Sequence, residues 1–185
     1  MLDSLLPWKT LSTTTVIDIH PWFSVLRDEI VLPSGRVIDD YYRISAPDYV
    51  IICPFLDDNT ILMERHYKQC LGGFVLTSPA GGIDPGETPL QAAQRELLEE
   101  TGYSAQKWTA MGAFTVDGTR GICKAHLFSA HDLKKISEPT VNEAEEFAIV
   151  PLDRAEIILN IQNGRIQLLP DIALLSMIFG PLLPN

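Results

Sequence analysis

Three glutamates, Glu96, Glu99 and Glu100, stand at i, i+3 and i+4 beside Arg95, and a further glutamate, Glu87, lies eight residues before that arginine. On a helix, three carboxylates so spaced repel one another by a few tenths of a kcal/mol per pair, and by more when partly buried. A divalent cation removes the repulsion. Oxygen-only ligands suit Mg2+ or Mn2+, whereas zinc would draw histidine or cysteine into the set. Taken alone, an E-x-x-E-E run is most often a solvated acidic face.

The spacing has meaning only if those residues share a helix, and the flanking sequence predicts one over about 89–101. Thr88 suits the N-cap, Pro89 sits where a missing N–H costs nothing, Gln91 completes a Thr-x-x-Gln capping box, and Gly102 suits a left-handed C-terminal position. At 100° per residue, Glu96, Glu99 and Glu100 fall within one arc, and Leu90, Ala93 and Leu97 fall on an adjoining arc that can face a core.

The rest of the chain reads as support for that helix. Residues 8–44 have β character, with a hairpin in which Phe23 to Leu32 turns at Pro33-Ser34-Gly35 into Arg36 to Ile44. The unbroken apolar run YVIICPF, 49–55, predicts a strand buried on both faces. After a turn at Asp57-Asp58-Asn59, Thr60 to Arg65 is expected to pair back on that strand as its neighbour. Residues 107–114 and 122–129 alternate as strands, 132–142 reads as a polar connector, 147–151 as a strand, and 153–160 and 170–179 as two short helices around a Gly164 turn. Neither repeats nor linkers divide the chain, so one domain, 1–185, is expected.

Composition limits the partners. The 185 residues carry 24 acidic and 14 basic side chains, net −10, a field that repels DNA and RNA. A phosphate-bearing ligand therefore has to be admitted by metal and a local basic group. Cys53, Cys70 and Cys123 form neither a C-x-x-C pair nor an even set, which points to free thiols in a reducing compartment. The opening MLDSLLPWKTL has no basic region and no long apolar run, and the apolar stretch 166–184 is broken by Pro170, Asp171, Gly180 and Pro181. A cytoplasmic location with no membrane contact is the expectation. His20, His66, His126 and His131 have no serine or cysteine at motif spacing, so a hydrolase triad is excluded.

The whole stretch GGIDPGETPLQAAQRELLEETGY, 81–103, resembles the Nudix box, G-x5-E-x7-R-E-U-x-E-E-x-G-U with U aliphatic. Every charged and glycine position matches, and only Tyr103 departs. The resemblance implies an α+β fold, the Nudix α/β/α sandwich with a mixed β-sheet. It also implies a metal-dependent hydrolase that cleaves the diphosphate linkage of a nucleoside diphosphate derivative, a small molecule. By position, Glu96, Glu100 and the backbone carbonyl of Ala80 are implied as ligands of Mg2+ or Mn2+, with Glu99 as ligand or base support. Gly81, Glu87, Arg95 and Gly102 are implied to be structural within the motif, Glu87 and Arg95 as an ion pair. Related enzymes place a further catalytic glutamate on a later loop, which makes Glu143, Glu145 and Glu146 candidates, Glu145 first. Which carboxylate accepts the proton is left open.

The flanks look like the branch that hydrolyses ADP-ribose and nucleoside diphosphate sugars. Residues 1–46 correspond to that branch's extra N-terminal β segment, used there in a homodimer, and 47–185 to the Nudix core. Arg65-His66-Tyr67-Lys68 and Thr77-Ser78-Pro79-Ala80-Gly81 fall where the branch shows approximately R-Q-Y-R and E-L-P-A-G. Thr77 replaces the usual glutamate, and Asp117-Gly118-Thr119 stands where a proline is common. Arg65 and Arg120 are the candidate substrate contacts, each with a plainer alternative, a strand-end and a turn arginine respectively. Two other functions stay open: a binding or regulatory module on the same fold, and a Nudix hydrolase of dinucleoside polyphosphates, coenzyme A or nucleoside triphosphates.

Overall fold

In the N-terminal part, alternating β-branched and aromatic residues form three antiparallel strands, β1 (Lys9–Ile19), β2 (Phe23–Val31) and β3 (Val37–Ser45), in the order β1-β2-β3. The Pro33-Ser34-Gly35 turn closes the predicted hairpin, with Leu32 N donating to Arg36 O at 2.9 Å. Asp28 is buried in this sheet and accepts from Thr13 Oγ1 and Arg43 Nε, both at 2.6 Å. The Arg43 guanidinium holds that carboxyl below its ordinary range. β1 is solvent-exposed along its whole length.

The computed structural model describes residues 5–140, 147–180 and 182. It divides into two compact units, Met1–Pro47 with Thr115–Lys124, and Asp48–Phe114 with Ala125–Asn185. In the first, the 115–124 segment is tied to the end of β3 by Ile44 N to Arg120 O and Ala46 N to Ile122 O, each 3.0 Å.

The second unit is organised on β4 (Tyr49–Pro54), which is buried on both faces as its composition demands. It pairs antiparallel with β7 (Ala80–Gly82) and parallel with β9 (Lys124–Lys135), and β8 (Tyr103–Thr115) completes a mixed sheet ordered β7-β4-β9-β8. A second, antiparallel sheet places β5 (Thr60–Lys68) between β10 (Phe147–Asp153) and β6 (Gly73–Thr77). The side chains of β4 alternate between two cores. Val50 and Ile52 pack with Ala92, Ala93 and Leu97 of α1 (Pro89–Thr101). Ile51 and Cys53 pack with Ile61 and Met63 of β5, and with Ile157 of α2 (Arg154–Gln162) and Leu174 and Leu175 of α3 (Leu169–Phe179). The fold is α+β, with α1 on one face of the mixed sheet and the second sheet, α2 and α3 toward the other. Among the described residues no helix is long and apolar enough to cross a membrane.

Three expectations need correction. β5 does not lie beside β4: apart from one bridge between Phe55 and Ile61, the two strands belong to different sheets, because β7 and β9 occupy both edges of β4 while β6 and β10 occupy both edges of β5. Residues 132–135 continue β9 and are not a connector: Leu133 packs on the α1 core while Asp132, Lys134 and Lys135 are exposed. Leu90 is 39% exposed, and Ala92 takes the core position expected of it.

Candidate active site

The helix bounds follow from local chemistry. Gln91 N donates to Thr88 Oγ1 at 3.3 Å while Thr88 N donates to Gln91 Oε1 at 2.9 Å, so the capping box is complete. At the other end Gly102 adopts φ 72°, and its N–H returns to Leu98 O at 2.8 Å. With α1 so fixed, its buried face rests on β4 and its anionic face meets β7.

Arg95 is the hub of that anionic face. Its Nε and Nη2 donate to the two oxygens of Glu87 at 2.9 and 3.0 Å, Nη2 also reaches Gly82 O at 2.9 Å, and Nη1 donates to Glu96 at 2.6 Å and Glu99 at 3.3 Å. Glu87 also accepts from Asp84 N at 3.1 Å, so one bidentate ion pair closes the 82–88 loop onto the helix. Arg95 lowers the Glu87 carboxyl below its usual value. Glu96 is only 9% exposed, and burial pushes its carboxyl up while the Arg95 hydrogen bond pulls it back.

Two box carboxylates converge on β7. Glu100 Oε2 accepts from Ala80 N at 2.9 Å. Glu96 lies against Gly81 so closely that a Cβ there would stand 2.0 Å from its Cδ and Oε1, so only glycine lets the strand approach. Among the described residues, no three His, Cys, Asp or Glu side chains are gathered tightly enough to enclose a metal. Arg95 donates to Glu96 and Glu99, and the Ala80 amide donates to Glu100. The donor set that these groups offer, three carboxylates and the Ala80 carbonyl, is all oxygen and fits a hard divalent cation.

Beside this cluster a cleft of about 290 Å3 is lined by Glu100, Ala80 and Gly81 together with residues of the second sheet and α3. From β5 the cleft receives Glu64, His66 and Lys68, alternate residues on one strand face. His66 Nε2 and Thr77 Oγ1 are 3.0 Å apart.

Arg65 therefore points the other way, away from this cleft, as the strand-end alternative has it. Its guanidinium carbon lies 4.2 Å above the Phe74 ring, and it lines a separate cavity of about 480 Å3 with Asn160 and Arg165. Arg120 behaves as a turn arginine within its own unit: its backbone N–H donates to Asp117 Oδ1 at 2.9 Å, as in an Asx turn, and Nη1 donates to Asp117 Oδ2 at 2.7 Å. Glu143, Glu145 and Glu146 lie outside the described residues.

Sequence reasoning missed Asp171. It is the third residue of α3, 3% exposed, and its Oδ1 accepts from Ser78 N at 2.7 Å inside the cleft. Burial pushes its carboxyl up to about 6, against the opposing pull of the Ser78 hydrogen bonds and Lys68. A Pro-Asp pair opening a helix reads simply as a favourable N-terminus, so nothing in the string marked it.

The fold and the box define a class. Residues 46–172 match the NUDIX domain family, and the chain belongs to it. Residues 8–44 match the nucleoside diphosphate sugar hydrolase N-terminal domain. The chain is 30% identical over 123 residues to the ADP-ribose pyrophosphatase of Bacillus subtilis (strain 168), a match spanning 66% of each protein, just under two thirds. It is 29% identical over 131 residues to the ADP compounds hydrolase NudE of Escherichia coli (strain K12), covering 68% of this chain and 70% of that one. The crystal structure of an ADP compounds hydrolase shares the fold with a TM-score of 0.82 at 24% identity, covering 95% of this chain and 94% of the other.

Proposed function

We propose that the protein is a divalent-metal-dependent pyrophosphohydrolase whose substrate is ADP-ribose or another nucleoside diphosphate sugar. The observation that carries the reading is the meeting of Glu96 and Glu100 with Gly81 and Ala80, beside a cleft lined by Glu100, Ala80 and Gly81 together with His66 and Lys68. The family match of the N-terminal segment and the names of the relatives support the substrate class.

In this reading Glu96, Glu99, Glu100 and the Ala80 carbonyl hold the metal, Mg2+ or Mn2+. Such an ion neutralises diphosphate oxygens and lowers the pKa of a bound water. The chain's own residues do the rest. Lys68 binds a diphosphate oxygen as a point charge, and His66, in contact with Thr77, presents a ring nitrogen to the substrate. Glu99, 48% exposed on its side chain, accepts the proton of the attacking water unless Glu145 does so from the 141–146 segment. The water oxygen bonds to one phosphorus, the bridging P–O bond breaks, and two phosphomonoesters leave.

The exposed apolar residues of β1, Leu11, Val16, Ile17 and Ile19, are covered in this reading by a second copy in a homodimer. The free cysteines agree with a cytoplasmic location.

The test is Glu100→Gln. Mg2+-dependent hydrolysis of ADP-ribose and nucleotide sugars falls by several orders of magnitude while the circular dichroism spectrum is unchanged. Full activity in that variant overturns the metal assignment. A wild type inactive on that panel, and on dinucleoside polyphosphates, coenzyme A and nucleoside triphosphates with Mg2+ or Mn2+, identifies a binding module instead.

A further inference from the structure

Between β6 and β7 the chain has only two residues outside a strand, Ser78 and Pro79. This short link ends at Ala80, whose amide meets Glu100. Proline has no N–H, so the backbone donors of the 78–80 segment are Ser78 N and Ala80 N. Both donate to carboxylates: Ser78 N to Asp171 Oδ1 at 2.7 Å, from α3, and Ala80 N to Glu100 Oε2 at 2.9 Å, from α1. The carbonyl between them, Pro79 O, accepts from Ile52 N of β4 at 2.9 Å. Three elements thus pin one backbone group on each of three successive residues, and only one of the pins, Glu100, belongs to the Nudix box.

We propose that Asp171 is a positioning residue for the hydrolysis: its buried carboxylate, by accepting the Ser78 amide, sets the link on which the Ala80–Glu100 contact depends. This rests on the proposed pyrophosphohydrolase reading for its consequence in turnover, though not for the tether itself. Ser78 is buried, 1% exposed, and Asp171 Oδ1 is the acceptor its N–H has in this fold, so truncating Asp171 removes the group that fixes the direction of that N–H. The link then has to turn to find another acceptor, and the Ala80 amide, two residues on, turns with it. A displacement of about 1 Å at a reacting centre costs up to about a hundredfold in rate.

Two substitutions separate an acceptor from a charge. Asp171→Asn keeps an oxygen for Ser78 N–H, and Asp171→Ala removes it. With ADP-ribose and Mg2+, the alanine variant is expected to lose about tenfold or more in kcat with KM within about threefold, while the asparagine variant stays within about threefold of wild type. Hydrogen exchange without metal or substrate reads the tether directly. The amides of Ser78 and Ala80 should exchange at least about tenfold faster in Asp171→Ala, at wild-type rates in Asp171→Asn, with α1 amides unchanged in both. Wild-type kcat and exchange in Asp171→Ala overturn the proposal, as does an asparagine variant as impaired as the alanine one. If the wild type cleaves none of the tested substrates, the exchange result still decides the tether and the functional reading alone falls.

Discussion

Replacing Asp171 by asparagine should make the protein more stable at pH 8 and leave it unchanged near pH 4. Burial raises this carboxyl from 3.8 to about 6, so between those values the folded state holds a proton that the unfolded chain has released. Stability rises with pH only where the unfolded state binds more protons; here it binds fewer, so this group's contribution falls as pH climbs from about 4 to 6 and stays low above. At about 1.4 kcal/mol per tenfold change in proton affinity, the displacement amounts to about 3 kcal/mol. Asparagine carries no charge to desolvate and keeps the acceptor for Ser78 N–H at every pH. Of the other ionisable groups lining the cleft, Lys68 of β5 acts on the Asp171 charge and is already counted in that displacement, while Glu64 and His66 of β5 and Glu100 of α1 are common to both proteins. Urea unfolding in EDTA at pH 4, 6 and 8 measures it. The asparagine variant should lead by about 2–3 kcal/mol at pH 8 and by under about 0.5 kcal/mol at pH 4. A lead that does not change with pH, or a variant less stable than wild type at pH 8, refutes the reasoning.

Gly81→Ala should fold yet lose most of its activity, because the new Cβ would stand 2.0 Å from the Glu96 carboxyl and must displace it; kcat in Mg2+ against the melting temperature in EDTA separates the two effects. Gly102→Ala should act on stability, since φ is 72° and the added Cβ would lie 2.1 Å from Ser137 O; a loss of about 1–3 kcal/mol or more in urea unfolding is expected, and a variant of wild-type stability counts against the local geometry. If a second copy covers β1, the wild type sediments as a dimer and Ile17→Lys with Ile19→Lys as a monomer, with circular dichroism unchanged; a monomeric wild type removes that interface.

The parts of the structure legible in the string are those fixed by neighbours in sequence. Thr88, Pro89, Gln91 and Gly102 define α1 because caps act within one turn, and the helix runs Pro89–Thr101 as they require. Likewise the unbroken apolar run in β4 could only be a strand with two buried faces. What the string leaves open is which edge or face a strand turns to the site, because that depends on partners far along the chain. Arg65 could be read as a diphosphate contact or as a strand-end arginine; a strand offers alternate residues to opposite sides, and the cleft takes the Glu64, His66 and Lys68 set. The side of β5 that Arg65 occupies faces away from the cleft.

Asp171 takes this one step further. It lies 93 residues from the amide that it holds, in a segment whose sequence looks like ordinary helix initiation. A buried carboxylate with its proton affinity raised is retained at a cost of about 3 kcal/mol, and a protein can shed that cost by a single change to asparagine. Stability alone therefore gives no reason for an aspartate here. A charged acceptor binds an amide more tightly than a neutral one, and the 2.7 Å contact to Ser78 is of that short, charge-assisted kind. In the proposed tether the link needs an acceptor at position 171, which asparagine also supplies; the charge adds strength to that contact and is not what places Ala80 against Glu100.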